Sequence, residues 1–171
     1  MIVDRSAFHF RKASMADLEI LRHWDTKEHI RVAIPNDNWD WEKELDESPA
    51  WREQFIAMVD DIPIGFLQII DPHLEETHYW GEMEPNKRAI DIWIGEEDYL
   101  NKGFGTLMMK EALRRCFSQI EINEVLVDPA EENVNAIRFY ERLGFSYKEH
   151  RLFEGDKGPV YSIERHQWMT T

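Results

Sequence analysis

The sequence contains little cysteine and no long apolar run. Cys116 is its only cysteine, so no disulfide can form within the chain. No segment approaches the roughly 20 consecutive apolar residues that a membrane-spanning helix needs. The first residues also lack the basic and apolar stretches of a signal peptide. Because repeats and linkers are missing too, we expect a single cytoplasmic domain over residues 1–171 with no membrane partner.

Positive charge is scarce as well. The chain has 20 Lys and Arg residues against 34 Asp and Glu residues, and its formal net charge is −14. Such a surface repels phosphate backbones, so we expect no nucleic-acid partner, whereas it attracts small polycationic molecules. Solubility alone is the other explanation of this charge. Hydrophobic residues make up 43% of the chain, which is enough for a packed core.

Motifs for metal binding and for a serine or cysteine nucleophile are also missing. His73 and His78 enclose Leu-Glu-Glu-Thr, which is not the H-E-x-x-H pattern of a zinc site, and a solvated loop explains them better. Cys116 falls on the apolar face of a predicted helix, where we expect it to be inert. We therefore expect no metal cofactor.

The periodicity of apolar residues predicts an α+β fold with a mixed sheet. Ser14 is typical of a helix N-cap, with Asp17 in the first turn, and short helices and loops are expected over residues 29–51. Turns are expected at residues 60–63 and around Gly155 and Gly158, with an irregular connection over 72–88. The predicted strands cover 8–12, 54–59, 64–71, 89–95, 124–128, 145–153 and 160–165, and the clearest helices cover 103–120 and 133–143.

A loop with two glycines, residues 101–106, lies between a predicted strand and the clearest helix. Gly103 and Gly105 let the backbone turn sharply and approach a ligand closely. The amides of the first helical turn then face an anion, and Lys102 adds a positive charge. The loop is neither a P-loop nor a complete G-x-G-x-x-G, since position 108 is Met. Taken alone, a structural tight turn explains it equally well.

A second motif follows one predicted strand later. Asn133, Ala136, Tyr140, Gly144 and Phe145 form the pattern N-x-x-A-x-x-x-Y-x-x-x-G-F. The two motifs, in this order, resemble those of the GCN5-related N-acetyltransferase (GNAT) superfamily, and the resemblance covers most of the chain. It implies a mixed, mostly antiparallel sheet flanked by helices and splayed between the strands at 89–95 and 124–128.

The resemblance also implies a cofactor and its contacts. Acetyl-coenzyme A would lie where the sheet splays, with its pantetheine on the backbone of Trp93 and Ile94. Asn133 would contact the cofactor arm, and Tyr140 would be the general acid for the leaving thiolate. A phenol suits that task because its reference pKa, about 10, is close to that of a thiol. The amides expected to hold the pyrophosphate belong to Lys102, Gly103, Phe104, Gly105 and Thr106.

One departure narrows the resemblance. The superfamily usually has Gln or Arg three residues before the first glycine, whereas this chain has Leu100. Aminoglycoside 6'-N-acetyltransferases of the 6'-Ib group also have Leu there, and the chain is similar to them at residues 90–91, 100–106, 128–129, 133–145 and 158–161. That resemblance implies that Asp91 is the base near the acceptor amine. It also implies that Asp128 binds the cationic sugar.

Physical reasoning supports the roles of these two carboxylates and also leaves structural alternatives open. A primary amine must lose a proton before it attacks a thioester, and a nearby carboxylate can accept that proton. Asp91 is the only charge in the apolar strand at 89–95, although an alternating strand could simply point it to solvent. Asp128 could be an ordinary turn residue, and Tyr140 an aromatic residue at the edge of the core.

Acidic and tryptophan-rich segments could form the wall of a site for a small cationic amine, since ammonium groups bind carboxylates and aromatic faces. Packing in the core is the alternative for the tryptophans. The residues concerned are Trp39, Asp40, Trp41, Glu75, Glu76, Trp80, Glu82 and Glu84.

The leading hypothesis is therefore acetyl transfer from acetyl-coenzyme A to an amine of an aminoglycoside. Two rivals stay open. The acceptor could be a hydroxylamine or lysine-type amine of siderophore synthesis or a protein N-terminus, or the chain could be a non-catalytic sensor of acyl-coenzyme A. Monomer and dimer are both open.

Overall fold

A computed structural model describes residues 4–34, 38–153 and 156–170. These residues form seven strands and six α-helices, together with three short 3-10 turns. The strands are β1 (Phe8–Lys12), β2 (Arg52–Val59), β3 (Ile62–Ile70), β4 (Lys87–Ile94), β5 (Glu124–Val127), β6 (Ser146–Phe153) and β7 (Asp156–Glu164). The helices are α1 (Leu18–Asp25), α2 (Glu28–Ala33), α3 (Trp41–Asp46), α4 (Phe104–Phe117), α5 (Val134–Arg142) and α6 (Arg165–Met169).

The strands form one sheet in the order β1-β2-β3-β4-β5-β7-β6. The pairs β1–β2, β5–β7 and β6–β7 are antiparallel, whereas β4 and β5 are parallel. The β4–β5 register covers only Lys87–Ala89 against Glu124–Leu126, although β4 continues to Ile94. The predicted α+β fold with a mixed, mostly antiparallel sheet is therefore confirmed, and a short ladder is what a splayed sheet requires at these two strands.

Local chemistry explains the first helical segment. Ser14 is the predicted N-cap, and it forms a capping box with Asp17, whose carboxylate accepts the Ser14 N–H at 2.9 Å. Asp17 is buried and is bound by both terminal nitrogens of Arg11, at 2.6 and 2.9 Å. The segment begins as one 3-10 turn over Met15–Asp17 before α1 continues it. The predicted cap is confirmed.

Several predicted boundaries are wrong. The turn predicted at 60–63 is confined to Asp60 and Asp61, because Asp60 adopts a φ of 52° and closes the β2–β3 hairpin within two residues. Pro63 lies in β3, where it is the second residue and so falls at the strand's start. The helix predicted to reach Ile120 ends at Phe117, and Ile120 is 85% exposed.

The C-terminal predictions also need correction. Gly158 lies in β7 and pairs with Arg151, because the β6–β7 register extends closer to the turn than the glycines suggested. Gly155 lies outside the described residues. The last strand ends at Glu164, which begins α6 through a capping box with Gln167. β4 likewise begins at Lys87, inside the stretch predicted to be irregular.

The chain divides into two compact units, each with its own core. The first holds the chain up to Gln68 together with Asp91–Lys110, and the second holds Ile69–Ile90 and the chain from Glu111 onward. The first core contains Leu21, Trp24, Ile30, Trp41, Leu45, Ile56, Met58, Phe66 and Trp93. A core cluster of the second unit contains Trp80, Met83, Ala89, Leu126 and Val160.

Candidate active site

Asp91, the predicted base, has a defined partner in the first unit. The side-chain amide of Gln68, on β3, donates to Asp91 Oδ2 at 2.6 Å. Gln68 is only 3% exposed and Asp91 is half-buried. Behind them, Gln54 on β2 donates from Nε2 to Gln68 Oε1 at 3.3 Å. The carboxylate is therefore held by a row of three polar side chains on three strands, with the buried Gln68 in the middle. Simple exposure to solvent on an alternating strand does not explain this row.

An aromatic cluster surrounds the side chain of Trp93 in the same unit. The ring centroid of Trp93 lies 4.7 Å from that of Phe66, 5.7 Å from Trp39 and 6.1 Å from Trp41. Trp39 and Trp41 stack at 5.0 Å. Trp41 donates its indole N–H to Asp25 at 2.6 Å. Burial raises the pKa of Asp25, although this bond works in the opposite direction.

The tryptophans that were predicted to form the wall of a site differ in their burial. Trp41 is 2% exposed and belongs to the core of the first unit, and Trp80 belongs to the core of the second. Both therefore follow the alternative in which the tryptophans pack in a core. Trp39 is partly exposed and packs against the first core. The indole N–H groups of Trp39 and Trp93 are buried, and within the described part of the chain they have no hydrogen-bond partner.

The backbone groups at the end of β4 face different neighbours. A Cβ placed on Gly65 of β3 would lie 2.5 Å from the carbonyl oxygen of Trp93, so that carbonyl faces β3. The Gly95 N–H also points to β3, since it donates to the Ile64 carbonyl at 2.8 Å. Consecutive residues of a strand alternate in direction, so the Ile94 N–H points away from β3. The Ile94 carbonyl accepts a bond from the His29 ring at 2.9 Å.

The glycine loop leads into α4 in the predicted way. The Leu107 N–H donates to the Gly103 carbonyl at 3.2 Å, so Gly103 precedes the helix and the next amides belong to its first turn. Those amides have no acceptor within the helix. Gly103 has a φ of 86° and Asn101 a φ of 58°, both in the left-handed region. The Lys102 ammonium donates to the Asp98 carbonyl beside the loop. Phe104 is buried and anchors the helix.

Arg5 also lies at this loop, and no motif in the sequence predicted its position there. A Cβ on Gly103 would stand 2.9 Å from Cζ and from one terminal nitrogen of Arg5. The Arg5 side chain is exposed and comes from the 3-10 turn before β1. Glycine is favoured at position 103 by its φ of 86°, and the tip of the exposed Arg5 side chain lies beside it.

Asp128, the predicted sugar ligand, lies in the second unit directly after β5. The Tyr79 hydroxyl donates to Asp128 Oδ2 at 2.6 Å. Glu75 holds the turn that carries Tyr79, since its carboxylate accepts the N–H groups of Thr77 at 2.8 Å and Tyr79 at 2.9 Å. Burial alone would raise the pKa of Glu75, but these bonds and the Thr77 hydroxyl hold that pKa below its ordinary value. Glu75 is thus a structural carboxylate.

The remaining predicted residues lie at α5, also in the second unit. Asn133 is the N-cap of this helix, and its Oδ1 accepts the Ala136 N–H at 3.1 Å. Tyr140 is 8% exposed, and its ring lies 5.3 Å from Phe139 and 5.6 Å from Phe145. The core-edge position agrees with the alternative stated for Tyr140, whereas the capping role of Asn133 was not predicted. Contact with a cofactor stays a prediction for both residues.

Each unit therefore contains some of the predicted site residues together with their partners. The first joins Asp91 to Gln68 and the glycine loop to Arg5, and the second joins Asp128 to Tyr79. Across the described ranges, no group of three or more His, Cys, Asp or Glu side chains is arranged to hold a metal ion. The helices described there also include none that is both long and apolar enough to cross a membrane.

Known proteins share this sequence pattern and this fold. Residues 13–153 match the family model of an acetyltransferase (GNAT) domain. An aminoglycoside N(6')-acetyltransferase type 1 from Klebsiella pneumoniae is 30% identical over 114 residues, which are 66% of this chain and 56% of that protein. A spermine/spermidine N(1)-acetyltransferase from Bacillus subtilis (strain 168) is 30% identical over 83 residues, 47% of this chain and 55% of that protein. The matched part of the chain thus spans little more than half the length of these relatives.

A solved structure extends the likeness to almost the whole chain. The crystal structure of aminoglycoside acetyltransferase AAC(6')-Ib in complex with coenzyme A and kanamycin superimposes with a TM-score of 0.85. The superposition covers 96% of this chain and 98% of that one, at 25% sequence identity.

Proposed function

Because the chain belongs to the GNAT acetyltransferase family, we propose that it transfers the acetyl group of acetyl-coenzyme A to the 6'-amine of an aminoglycoside. The observation that carries the proposal is the match with AAC(6')-Ib, a protein solved with coenzyme A and kanamycin, over 96% of the chain. The relative from Klebsiella pneumoniae supports the same acceptor. The net charge of −14 supports a cationic substrate.

The residues of the first unit fit the donor. The first-turn amides of α4 and the Arg5 guanidinium both lie at Gly103, and together they suit a pyrophosphate. The backbone of Trp93 and Ile94 is proposed to hold the pantetheine. Since the Trp93 carbonyl faces β3 and the Ile94 carbonyl is bound by His29, the Ile94 N–H is the donor best directed for that task. Asn133, a residue of the second unit, is also proposed to contact the pantetheine arm.

The proposed reaction uses one base and one acid. Asp91 accepts a proton from the acceptor ammonium, and the neutral amine then attacks the thioester carbonyl carbon. A C–N bond forms, the C–S bond breaks, and the departing thiolate takes the phenolic proton of Tyr140. The attacking nitrogen gives up its second proton, which restores the Tyr140 phenol through solvent, and Asp91 releases its proton to solvent. Asp128 binds a second ammonium group of the sugar, in place of or beside the Tyr79 hydroxyl.

Substitution of the base tests the proposal. We expect Asp91→Asn to lower kcat for kanamycin by about 10²- to 10⁴-fold, the usual contribution of general base catalysis, with coenzyme A affinity retained. The assay follows thiol release, and mass spectrometry with NMR identifies the acetylated amine. Asp61→Asn, in the exposed β2–β3 turn, is the matched control and keeps wild-type activity. Absence of turnover by the wild type with any aminoglycoside would contradict the proposed acceptor.

A polyamine is the second candidate acceptor, because the relative from Bacillus subtilis is named for spermine and spermidine. The comparison of kcat/KM for kanamycin and for spermidine decides between the two. The same panel includes hydroxylamine, lysine and peptide N-termini. A wild type that binds coenzyme A but acetylates none of them would instead support a sensor of acyl-coenzyme A.

A further inference from the structure

Gln68 is a buried polar side chain that the proposed reaction does not use. At 3% exposed it is one of four buried polar or charged residues among those that the structure describes, and the other three have clear structural partners. Asp17 is paired with Arg11, Glu124 with two lysines, and Glu75 with the amides of its own turn. An amide buried in a sheet lowers stability unless its hydrogen bonds are made, so the contacts of Gln68 identify its purpose.

The two hydrogen bonds of the Gln68 side chain define which end of its amide faces which partner. A carboxylate can only accept, so the group that lies 2.6 Å from Asp91 Oδ2 must be the Gln68 NH2. The Gln68 carbonyl oxygen then faces Gln54, whose own NH2 donates to it at 3.3 Å. Rotating the Gln68 amide by half a turn would place its oxygen against the Asp91 carboxylate, which has no proton to donate. The carboxylate therefore fixes which end of Gln68 reaches it, and the Gln54 amide holds the other end.

This arrangement controls the base in two ways. A hydrogen bond from a neutral donor restricts rotation of the carboxylate, so that its position relative to an incoming amine is set before substrate binds. The same bond leaves the charge of the carboxylate in place, because the amide that donates it is neutral. Both effects act on the proton acceptor and neither requires Gln68 to touch the substrate.

We propose that Gln68 is the positioning residue of Asp91, and that Gln54 acts through Gln68 by holding the other end of its amide. The inference rests on the proposed function, in which Asp91 is the base. It adds a role for two residues on β2 and β3, so that the acceptor side of the reaction depends on three adjacent strands of the first unit.

The test is a double-mutant cycle between positions 68 and 91. Gln68→Leu keeps the side-chain volume and removes the donor, and we expect it to lower kcat about 10- to 100-fold with the KM of acetyl-coenzyme A unchanged. In the Asp91→Asn background the same substitution should change kcat less than twofold, because Gln68 acts only through that carboxylate. Additive effects of the two substitutions would overturn the proposal.

Three further variants separate positioning from packing. Gln68→Glu, of the same shape, places a second carboxylate against Asp91 and should lower kcat at least as much as Gln68→Leu. Gln54→Leu should lower kcat by about threefold to tenfold, because the Gln68 amide is then held at one end only. Gln119→Leu also removes a side-chain amide that makes a hydrogen bond, to Arg88, and should leave kcat unchanged. Wild-type kcat in both position-68 variants would overturn the proposal.

Control measurements distinguish a wrong positioning role from a loss of the fold and from a wrong proposed function. Thermal unfolding of each variant shows whether the fold is retained, and coenzyme A titration shows whether the donor site is intact. If Asp91→Asn lowers kcat and Gln68→Leu does not, the positioning role is wrong while the proposed function stands. If Asp91→Asn is as active as the wild type, or if the wild type acetylates no amine, the proposed base or reaction fails and this inference fails with it.

Discussion

Gly95, the residue after β4, lies against the face of Trp24 with no room for a side chain. A Cβ at this position would overlap the ring atoms Cγ, Cδ2 and Cε2. Trp24 is fully buried, and its indole N–H is bound to Glu96 Oε1 at 2.8 Å. The ring therefore has neither space nor freedom to move aside. The substitution Gly95→Ala must either displace a core tryptophan or shift the end of β4.

Overpacking of a dense core usually costs about 1–3 kcal/mol. We place Gly95→Ala at the upper end, about 3 kcal/mol of unfolding free energy, because several ring atoms are overlapped and the indole hydrogen bond opposes rotation. With a urea m-value of about 2 kcal/mol per molar, the midpoint of unfolding should fall by about 1.5 M. Circular dichroism and tryptophan fluorescence measured across a urea series give this midpoint by two probes.

A second substitution tests the cause. Trp24→Leu is destabilising by itself, because it leaves a cavity, but it removes the ring that the new methyl group would meet. In that background Gly95→Ala should cost less than about 1 kcal/mol, so the coupling energy between the two positions should be about 2 kcal/mol. An unfolding free energy of Gly95→Ala within about 0.5 kcal/mol of wild type would refute the packing of Trp24 on Gly95. The packing would also be refuted if Gly95→Ala lowered the unfolding free energy equally in the wild type and in the Trp24→Leu background.

Two other predictions concern charge. Glu124 is buried, and although burial alone would raise its pKa, hydrogen bonds from Lys148 and Lys87 hold that pKa below its ordinary value. The contribution of the Glu124 carboxylate to the unfolding free energy is therefore fully present above about pH 4.3 and is lost as the pH falls through its folded-state pKa. Glu124→Gln should lower the unfolding free energy by about 2–3 kcal/mol at pH 7 and by less at pH 3. A difference between variant and wild type that grows in acid would contradict this. Arg5→Ala should raise the Kd of coenzyme A about fivefold, since an exposed charge pair contributes about 1 kcal/mol, with no effect on acetyl-pantetheine, which lacks the pyrophosphate. Lys12→Ala, which removes an exposed cation from the adjacent strand, is the control, and an equal effect of both variants would reject a specific contact.

The sequence predicts those parts of the fold that depend on neighbouring residues. The cap at Ser14 and the strand at 89–95 follow from periodicity and capping chemistry, which act over a few residues. The helix ended by Gly144 follows in the same way, since that glycine has a φ of 102°. Boundaries were less predictable because they depend on pairing. Gly158 suggests a turn in isolation, but the register with Arg151 draws it into β7.

The contacts of the candidate site could not be predicted in the same way. Gln68 meets Asp91, and Tyr79 meets Asp128, only because the fold brings separate segments together. Neither pair has a characteristic spacing in the sequence. Arg5 is a clearer case, since no motif relates it to Gly103. Family resemblance identified the carboxylates and the loop, but the partners that orient them follow from packing.

The partners of the carboxylates distinguish two groups in this acidic chain. Asp17 and Glu124 are bound by arginine or lysine, so each pair is close to neutral and serves the fold. Asp91 and Asp128 each accept a hydrogen bond from a neutral group, an amide and a phenol respectively, at 2.6 Å. A neutral donor fixes the direction of a carboxylate while leaving its charge in place. Carboxylates held in this way suit a reaction in which one must take a proton from an ammonium group and another must bind one. The neutral donors of Asp91 and Asp128 are therefore consistent with the proposed cationic substrate.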